Sequence, residues 1–275
     1  MDLYCVMGNP IEHSKSPWIH TRFSQLTGQD MRYEKRLIPL DGFADSLRAF
    51  RDEGGRGCNV TVPFKFESPA LATKLTARAR LAQASNTLRF DGNDVLGDNT
   101  DGVGLVAEIQ RNAGVALAGS DVLLAGAGGA ASGALGPLIE AKPRRIVVAN
   151  RTVDKAKSLV DRHASLASVH GVEVSVSPLA GIAGNFDVVL NATAASMSGS
   201  GVPFAASVLK PRCLAIDMMY GPAAAPFVQW AQENGALARD GLGMLVEQAA
   251  EAFLVWRGVR PPSQQVLAEL RATLA

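Results

Sequence analysis

Gly126-Ala127-Gly128-Gly129-Ala130-Ala131-Ser132-Gly133 stands directly after the apolar run Val122-Leu123-Leu124-Ala125. Glycines so placed let a chain turn sharply from a strand into a helix. They also let the backbone approach a pyrophosphate, whose charge then faces the N–H groups of the helix N-terminus. Ala131 takes the third small position of a G-x-G-x-x-A variant. Close helix–sheet packing also explains a glycine-rich run, but a strand before it and a helix after it favour a dinucleotide. The next apolar strand ends in Asn150-Arg151-Thr152, with Lys155 one helical turn on. A site for NAD places an acid near this strand end to hold the ribose 2′-hydroxyl. Here two cations and two hydrogen-bonding side chains stand instead, which suits a 2′-phosphate and makes NADP the expected cofactor. Arg151 has a second use, laying its planar guanidinium on the adenine face. Capping by Thr152 and solvation of Arg151 explain single members of this set but not the whole.

A second group of residues suits proton transfer to a small polar molecule. The segment Gly8-Asn9-Pro10-Ile11-Glu12-His13-Ser14-Lys15-Ser16-Pro17 reads as a helix start, with Ser16 as N-cap and Pro17 at the first helical position. Two hydroxyls, Ser14 and Ser16, beside a helix N-terminus also make a natural carboxylate site. Lys65 closes Asn59-Val60-Thr61-Val62-Pro63-Phe64-Lys65. Lysine is ordinarily a solvated surface residue. Between Phe64 and Phe66 the other reading is a partly desolvated ammonium, a better proton donor near neutral pH. Asp101, in Gly97-Asp98-Asn99-Thr100-Asp101-Gly102, is either an N-cap or a carboxylate that pairs with a lysine and orients it. Asn86 is either a turn residue or an amide that binds a hydroxyl. Beside a nicotinamide, Lys65 and Asp101 become an acid/base pair. Hydride leaves a carbon while a proton leaves its hydroxyl, so one positioned base and one flat cofactor suffice and no metal is needed. His13 and His20 have no accompanying cluster of acids and histidines, and read as loop or packing residues rather than metal ligands.

Apolar periodicity and turn residues predict the elements that hold these groups. Strands are expected near residues 3–8, 32–38 and 58–61, helices near 17–26 and 42–51, and a hairpin of 85–90 with 95–97 around Asp91-Gly92-Asn93. A helix follows over about 102–112. Beyond it come strand 122–125, a small-residue helix, strand 145–149 and helix 153–163. Strands 172–176, 187–190 and 213–217 follow, then tail helices 242–256 and 263–273. Such strand–helix alternation predicts an α/β protein with mostly parallel sheets. A length of 275 residues suits two domains, and the composition shifts near residue 101, the expected boundary.

Composition narrows the classes further. Hydrophobic residues make up 47% and charged residues 19%, enough to bury a sizeable core, so bulk disorder is excluded. Basic and acidic residues balance at 27 against 26 with no basic tract, so no nucleic-acid partner is expected. Cys5, Cys58 and Cys213 lie far apart without a CxxC, which argues against structural zinc and a disulfide framework and for a cytoplasmic setting. Met1-Asp2-Leu3 carries no basic n-region, so no signal peptide is expected. Residues 122–139 hold no charge and contain Gly129-x-x-x-Gly133, as a dimerising membrane helix does, yet five glycines and Pro137 make a poor span. No membrane partner is expected.

Together these blocks resemble the shikimate dehydrogenase family, from Asn9 nearly to the C-terminus. The likeness rests on Gly8-Asn9-Pro10-Ile11 through His20, Asn59-Val60-Thr61-Val62-Pro63-x-Lys65, Asn86-Thr87 and Asn99-Thr100-Asp101-Gly102. It continues through Gly126-Ala127-Gly128-Gly129-Ala130, Asn150-Arg151-Thr152, Asn191-Ala192-Thr193, Asp217-Met218-Met219-Tyr220 and Asp240-Gly241-Leu242-Gly243-Met244-Leu245, to Gln248 and Trp256-Arg257-Gly258. The resemblance implies two α/β domains. One is an N-terminal substrate domain, 1–101, with a mixed, mostly parallel sheet, completed by C-terminal helices over about 245–275. The other is a Rossmann-type NADP-binding domain, 102–244. It implies reversible reduction of 3-dehydroshikimate to shikimate by NADPH, on the route to chorismate and aromatic amino acids. Ser14 and Ser16 would hold the substrate carboxylate, Thr61, Asn86, Asp101 and Gln248 the ring hydroxyls, and Tyr220 would close the pocket. Lys65 would pass the proton with Asp101 holding it, and Met218, Gly241 and Met244 would lie beside the cofactor. The molecule would be a monomer or a homodimer.

Some positions depart from the family's pattern. Ala194, Ala195 and Ser196 follow Asn191-Ala192-Thr193 where a serine and then a glycine are common, which bears on the loop beside the cofactor. Lys155 stands where arginine is frequent, and Thr21 where asparagine is often found. Three other readings compete. A quinate/shikimate dehydrogenase using NAD or both cofactors is disfavoured by Asn150-Arg151-Thr152. A non-catalytic NADP-binding regulator is disfavoured by the presence of both Lys65 and Asp101. A folate-type dehydrogenase is disfavoured by the Ser14/Ser16 pair and the Asn86 block, which suit a small polyhydroxy acid better than a pterin.

Overall fold

Two six-stranded sheets carry the chain, and their sequences differ because one is mixed and the other wholly parallel. The computed structural model describes residues 1–193 and 201–274. The chain divides into one unit of Met1–Gly104 with Leu245–Ala275, and a second of Leu105–Met244. The first unit begins with β1 (Asp2–Gly8), α1 (Ser16–Thr27), β2 (Met31–Leu37), α2 (Phe43–Asp52) and β3 (Gly55–Val60). It continues with β4 (Lys74–Leu75), α3 (Ala77–Ala82), β5 (Thr87–Asp91), β6 (Asp94–Asp98) and the start of α4 (Asp101–Ala107). Strand order is β2-β1-β3-β5-β6-β4, with β1 parallel to β2 and β3, and β5 antiparallel to β3 and β6. Phe43, Leu47 and Phe50 recur at helical spacing on α2 and meet Cys5, Met7 and Leu88 of the sheet in one buried cluster. The expected hairpin forms, with Asp91 opposite Asp94 and Gly92 at φ +60° in the turn.

Two local expectations need correction. Lys15, not Ser16, occupies the N-cap of α1, and Ser16 is its first helical residue. The Ser16 N–H donates to Ser14 Oγ at 3.3 Å, so the upstream hydroxyl satisfies it. Helix α3 was not expected, being only six residues long; Thr76 caps it by accepting from the Ala79 N–H at 3.3 Å.

The second unit holds β7 (Asp121–Ala125), α5 (Gly129–Glu140), β8 (Arg145–Asn150), α6 (Val153–His170) and β9 (Glu173–Pro178). Then come β10 (Phe186–Asn191), β11 (Leu209–Asp217), α7 (Ala225–Glu233) and β12 (Leu237–Arg239). All pairings are parallel, in the order β12-β11-β10-β7-β8-β9. That is the doubly wound Rossmann arrangement, so the expected fold class stands. Successive residues point to opposite faces: Val122 and Leu124 enter one core cluster, Leu123 and Ala125 the other. Burial on both faces is why these strands read as continuous apolar runs. The uncharged stretch 122–139 is therefore β7, a turn and α5. At twelve residues, α5 is about 18 Å long against the ~30 Å of a bilayer core. Among the described residues, no helix is long and apolar enough to cross a membrane. Sequence periodicity missed α7 and β12 and stopped α6 early; α6 runs on to Gly171, whose φ of +67° ends it.

The tail helices α8 (Leu242–Arg257) and α9 (Ser263–Leu274) close the chain. Trp256 donates its Nε1–H to the Leu88 carbonyl at 3.0 Å, across Gly57, where a Cβ would come within 2.7 Å of Nε1. Around it, His20 stacks on Tyr33 at 4.3 Å and meets Trp256 at 5.3 Å and Phe23 at 5.9 Å. His20 is thus a core residue. Cys5, Cys58 and Cys213 are buried free thiols, and burial pushes Cys213 up to about 12.

Burial holds the His20 imidazole down at about 3, below its ordinary value near 6.5. Between those values the unfolded chain binds one more proton than the folded protein, so stability falls as pH drops below about 6.5. Wild type is expected to lose roughly 2 kcal/mol more than His20→Phe between pH 7 and pH 5 in urea unfolding. Parallel losses in the two proteins would show that His20 is not held neutral.

Candidate active site

Lys65 lies in a short turn, Phe64–Phe66, just past β3. Phe64 anchors the turn, fully buried and stacked on Phe43 at 5.0 Å, and the Ser85 N–H donates to the Lys65 carbonyl at 2.9 Å. Phe66 is 52% exposed and supplies little of the expected apolar shield. The Lys65 side chain is still only 17% exposed, because its Nζ lies 2.6 Å from Asp101 Oδ2. Asp101 opens α4 without capping it. Its own N–H donates to Asn99 Oδ1 at 3.2 Å, which leaves the carboxylate free to face Lys65.

Asn86 is the hub beside this pair. Its Nδ2 donates to Asp101 Oδ1 at 2.8 Å, and lies 3.0 Å from Thr100 Oγ1 and 3.2 Å from Gln248 Oε1. Its Oδ1 accepts from the Thr100 N–H at 2.8 Å and from the Thr87 hydroxyl at 2.9 Å. A backbone N–H only donates, so the amide has one orientation, with its NH2 toward the carboxylate. Gln248, on α8, donates its Nε2 to the Leu245 carbonyl at 2.8 Å, and this turns Oε1 toward Asn86. The approach of α8 depends on Gly104 in α4: a Cβ there would sit 2.6 Å from Gln248 N and 2.8 Å from its Cα.

Sequence reasoning assigned no role to Thr87, Thr100, Asn59 or Tyr33, which extend this network. Asn59 Nδ2 donates to the Asn86 carbonyl and to Thr87 Oγ1, both at 3.1 Å, while Tyr33 donates to Asn59 Oδ1 at 2.7 Å. Burial pushes the Tyr33 phenol well above its ordinary value and keeps it a donor. The available signal was a polar residue, Asn59, between the apolar Cys58 and Val60 of a central strand.

Ser14, half-buried, and Ser16, buried, stand where α1 follows the C-terminal end of β1. Thr61 follows β3, and its N–H donates to the Met7 carbonyl at 2.9 Å. Gly8 admits the Thr61 methyl, which would collide with a Cβ at that position. Ser14, Ser16 and Thr61 thus share the strand ends of β1 and β3, but none hydrogen-bonds Lys65, Asn86, Asp101 or Gln248.

In the second unit, the ends of β7 and β10 form the point where strand order reverses, the usual place for a nucleotide in such sheets. Gly126 there has φ +118°, and a Cβ would lie 2.7 Å from the Ala192 carbonyl oxygen, so the turn requires glycine. Gly128 differs: a Cβ would meet nothing within 4 Å among the described residues, and the residue is exposed at the N-cap of α5. Ala127, Gly129 and Ala130 are half-buried around it. The first-turn N–H groups of α5 have no partner within the helix. This open, donor-rich helix start fits a pyrophosphate.

At the end of β8, Asn150 donates its Nδ2 to the Thr152 carbonyl at 2.8 Å. Thr152 takes the N-cap of α6 without a side-chain capping bond. Arg151 and Lys155 are exposed, and neither forms an ion pair among the described residues, whereas Lys157 pairs with Asp161 at 2.8 Å. Two uncommitted cations at this strand end fit a 2′-phosphate. Asp217 accepts from Asn191 Nδ2 and the Met219 N–H, both at 2.8 Å, and so shapes the segment carrying Met218 and Tyr220, which are half-buried. Gly241 admits the Met218 carbonyl, which a Cβ there would strike. Met244 packs into the core with 6% exposure, so its side chain is mostly committed to the fold. The departures at Ala194, Ala195 and Ser196 lie outside the described residues; Thr21 is exposed on α1.

The chain is similar to known proteins along its whole length. Residues 6–88 match the shikimate dehydrogenase substrate binding domain, 107–213 the shikimate / quinate 5-dehydrogenase family, and 241–271 the shikimate 5′-dehydrogenase C-terminal domain. It is 64% identical over 274 residues to the shikimate dehydrogenase (NADP(+)) of Acidovorax sp. (strain JS42), covering 100% of this chain and 97% of that one. An Ael1 enzyme from Pseudomonas putida has a similar structure, with TM-score 0.88, 42% identity and 98% of each chain covered. So does the shikimate 5-dehydrogenase from Thermus thermophilus in complex with NADP(H) and shikimate, with TM-score 0.86, 29% identity and 100% of both chains covered.

The close approach of α4 and α8 yields a test. Gly104→Ala places a methyl against backbone atoms of Gln248, so the two helices must part. A loss of about 1–3 kcal/mol in urea unfolding is expected. Gln248→Ala added to it should restore nothing, since the nearest atom is the Gln248 backbone N. Full rescue by the double variant would mean that the side chain, not the backbone, sets the approach.

Proposed function

Because this chain belongs to the shikimate dehydrogenase family, as an NADP-dependent oxidoreductase that reversibly reduces 3-dehydroshikimate to shikimate on the route to chorismate and aromatic amino acids, we propose that Lys65 and Asp101 carry its proton transfer. The 2.6 Å contact between Lys65 Nζ and Asp101 Oδ2 supports this reading most directly. NADPH supplies the hydride when bound. Lys65 Nζ gives its proton to the carbonyl oxygen in reduction, and takes it from the hydroxyl in oxidation. Asp101 holds that nitrogen in place, and the fixed Asn86 amide holds Asp101. Lysine suits the task because its ammonium has three donors, so it can keep Asp101 while donating to substrate.

The remaining assignments are those the family resemblance implies, and they belong to the same proposal. The unit of Met1–Gly104 and Leu245–Ala275 takes the substrate, and Leu105–Met244 the cofactor. Ser14 and Ser16, at the N-terminus of α1, bind the substrate carboxylate. Thr61, Asn86, Asp101 and Gln248 bind ring hydroxyls, and Tyr220 closes the pocket. Residues 126–130 hold the pyrophosphate, with Gly128 as the point of closest approach. Asn150, Arg151, Thr152 and Lys155 hold the 2′-phosphate and adenine, and Met218, Gly241 and Met244 border the nicotinamide.

Initial rates with shikimate or quinate, each with NADP or NAD, test this reading. Shikimate with NADP is expected to be the fast pair; equal rates with quinate and NAD would reassign the specificity. Lys65→Ala is expected to lower kcat by about 10²–10⁴ with little change in the shikimate KM. Ser14→Ala should raise that KM by roughly tenfold and spare kcat. Equal changes in both parameters for both variants would sink this division. Arg151→Ala is expected to raise the NADP KM by about tenfold or more and the NAD KM, through the adenine contact alone, much less.

A further inference from the structure

Arg78, on α3, lies outside every residue assigned above, yet each of its three guanidinium nitrogens meets a carboxylate oxygen. Nε and Nη2 form a two-pronged contact with Asp98, at 2.7 Å to Oδ1 and 2.6 Å to Oδ2. Nη1 reaches Glu251 Oε1 at 3.1 Å. The three side chains are 23%, 3% and 15% exposed, so this is not a solvated surface pair. Burial would raise the Asp98 carboxyl, but Arg78, Thr76 and the Asn99 N–H outweigh it and hold it below the usual carboxylate range.

Each prong leads to the proposed substrate site. Asp98 ends β6, and its Oδ1 accepts the Asn99 N–H at 2.7 Å; Asn99 Oδ1 in turn accepts the Asp101 N–H at 3.2 Å. Glu251 stands three residues beyond Gln248 on α8, which places both on neighbouring positions of one face. Gln248 Oε1 is the acceptor facing Asn86. One guanidinium thus ties the base of the segment carrying Asp101 to the helix carrying Gln248. These parts lie more than a hundred residues apart in sequence and come together only where α8 packs on the Met1–Gly104 part of the first unit.

We propose that Arg78 is a positioning residue for the dehydrogenase reaction, setting Asp101 through Asp98 and Gln248 through Glu251. The inference rests on the site reading given under Proposed function. The two arms have different kinetic signatures. Asp98 leads to the Lys65–Asp101 pair and so to kcat. Glu251 leads to a ring-hydroxyl contact and so to the shikimate KM.

Arg78→Lys keeps the charge but not the fork geometry. Glu251→Leu removes one arm while leaving Asp98 paired, but it also breaks the Arg260–Glu251 ion pair. Arg260→Leu therefore serves as the control, and an equal rise in the shikimate KM there would overturn the proposal. Steady-state kinetics of the full chain at 20 °C, below both melting transitions, separate the effects. Arg78→Lys is expected to lower kcat about tenfold and raise the shikimate KM. Glu251→Leu is expected to raise the shikimate KM three- to tenfold with kcat within twofold. The NADP KM should move less than twofold in both. Wild-type kinetics in Arg78→Lys, despite a lower melting temperature, would overturn the proposal, as would an equal rise in the NADP KM. Should Arg78→Lys fail to fold, an unchanged shikimate KM in Glu251→Leu overturns it alone. A wild-type protein that turns over no shikimate would refute the site reading rather than the clamp. Amide exchange then decides: Glu251→Leu should speed exchange around Gln248 at least tenfold relative to β7, and unchanged exchange overturns the clamp.

Discussion

The Asn86 amide is 2% exposed, with donors fixed on its oxygen and acceptors on its nitrogen. A buried amide in that position cannot turn over without placing like groups together, and an unmet buried group costs about 1–3 kcal/mol. Its orientation therefore propagates. The NH2 must face the Asp101 carboxylate, which leaves Oδ2 for Lys65, and Gln248 must present its oxygen rather than its nitrogen. The Lys65–Asp101 contact is short and defined because the carboxylate is held from two sides. Arg78 extends the same logic outward, since Asp98 and Asn99 hold the backbone from which Asp101 projects.

The second unit relies on a different constraint. A parallel sheet covered on both faces leaves only its strand ends open, so whatever binds must do so there. Gly126 is tightly packed against Ala192, whereas Gly128 meets no neighbour among the described residues. Two glycines in one short run thus serve opposite needs: the first brings the β7 and β10 ends together, and the second keeps the start of α5 clear. The exposed Arg151 and Lys155 stand at the next strand end in the same sheet. Under the proposed reading, these two cations are what would favour a 2′-phosphate in this chain.

Features carried by contiguous residues were legible before any coordinates. The glycine run after an apolar strand, the Asn150-Arg151-Thr152 end, the Asp91-Gly92-Asn93 hairpin and the long amphipathic helices all declare themselves within a few residues. Short elements did not. Six-residue α3 offers less than two turns of periodicity, and three-residue β12 offers no alternation to count. Serine before proline suggested an N-cap at Ser16, but the hydroxyl of Ser14 meets the Ser16 N–H instead. Asp101 looked equally able to cap its helix; instead the Asn99 side chain accepts the Asp101 N–H, and the Asp101 carboxylate turns to Asn86 and Lys65.

Residue types, their order and their local periods follow from the chain alone, because strand, helix and turn preferences act over a handful of neighbours. That much establishes an α/β molecule with a dinucleotide turn and names Lys65, Asn86 and Asp101 as groups worth watching. Which way an amide faces, which carboxylate is left free and which guanidinium joins two segments depend on donors and acceptors brought from distant positions. Gln248 meets Asn86, and Glu251 meets Arg78, only because α8 packs closely against the glycine at position 104. Packing, not pattern, turns a set of suitable side chains into one arrangement, since burial removes the water that would otherwise satisfy each of them separately.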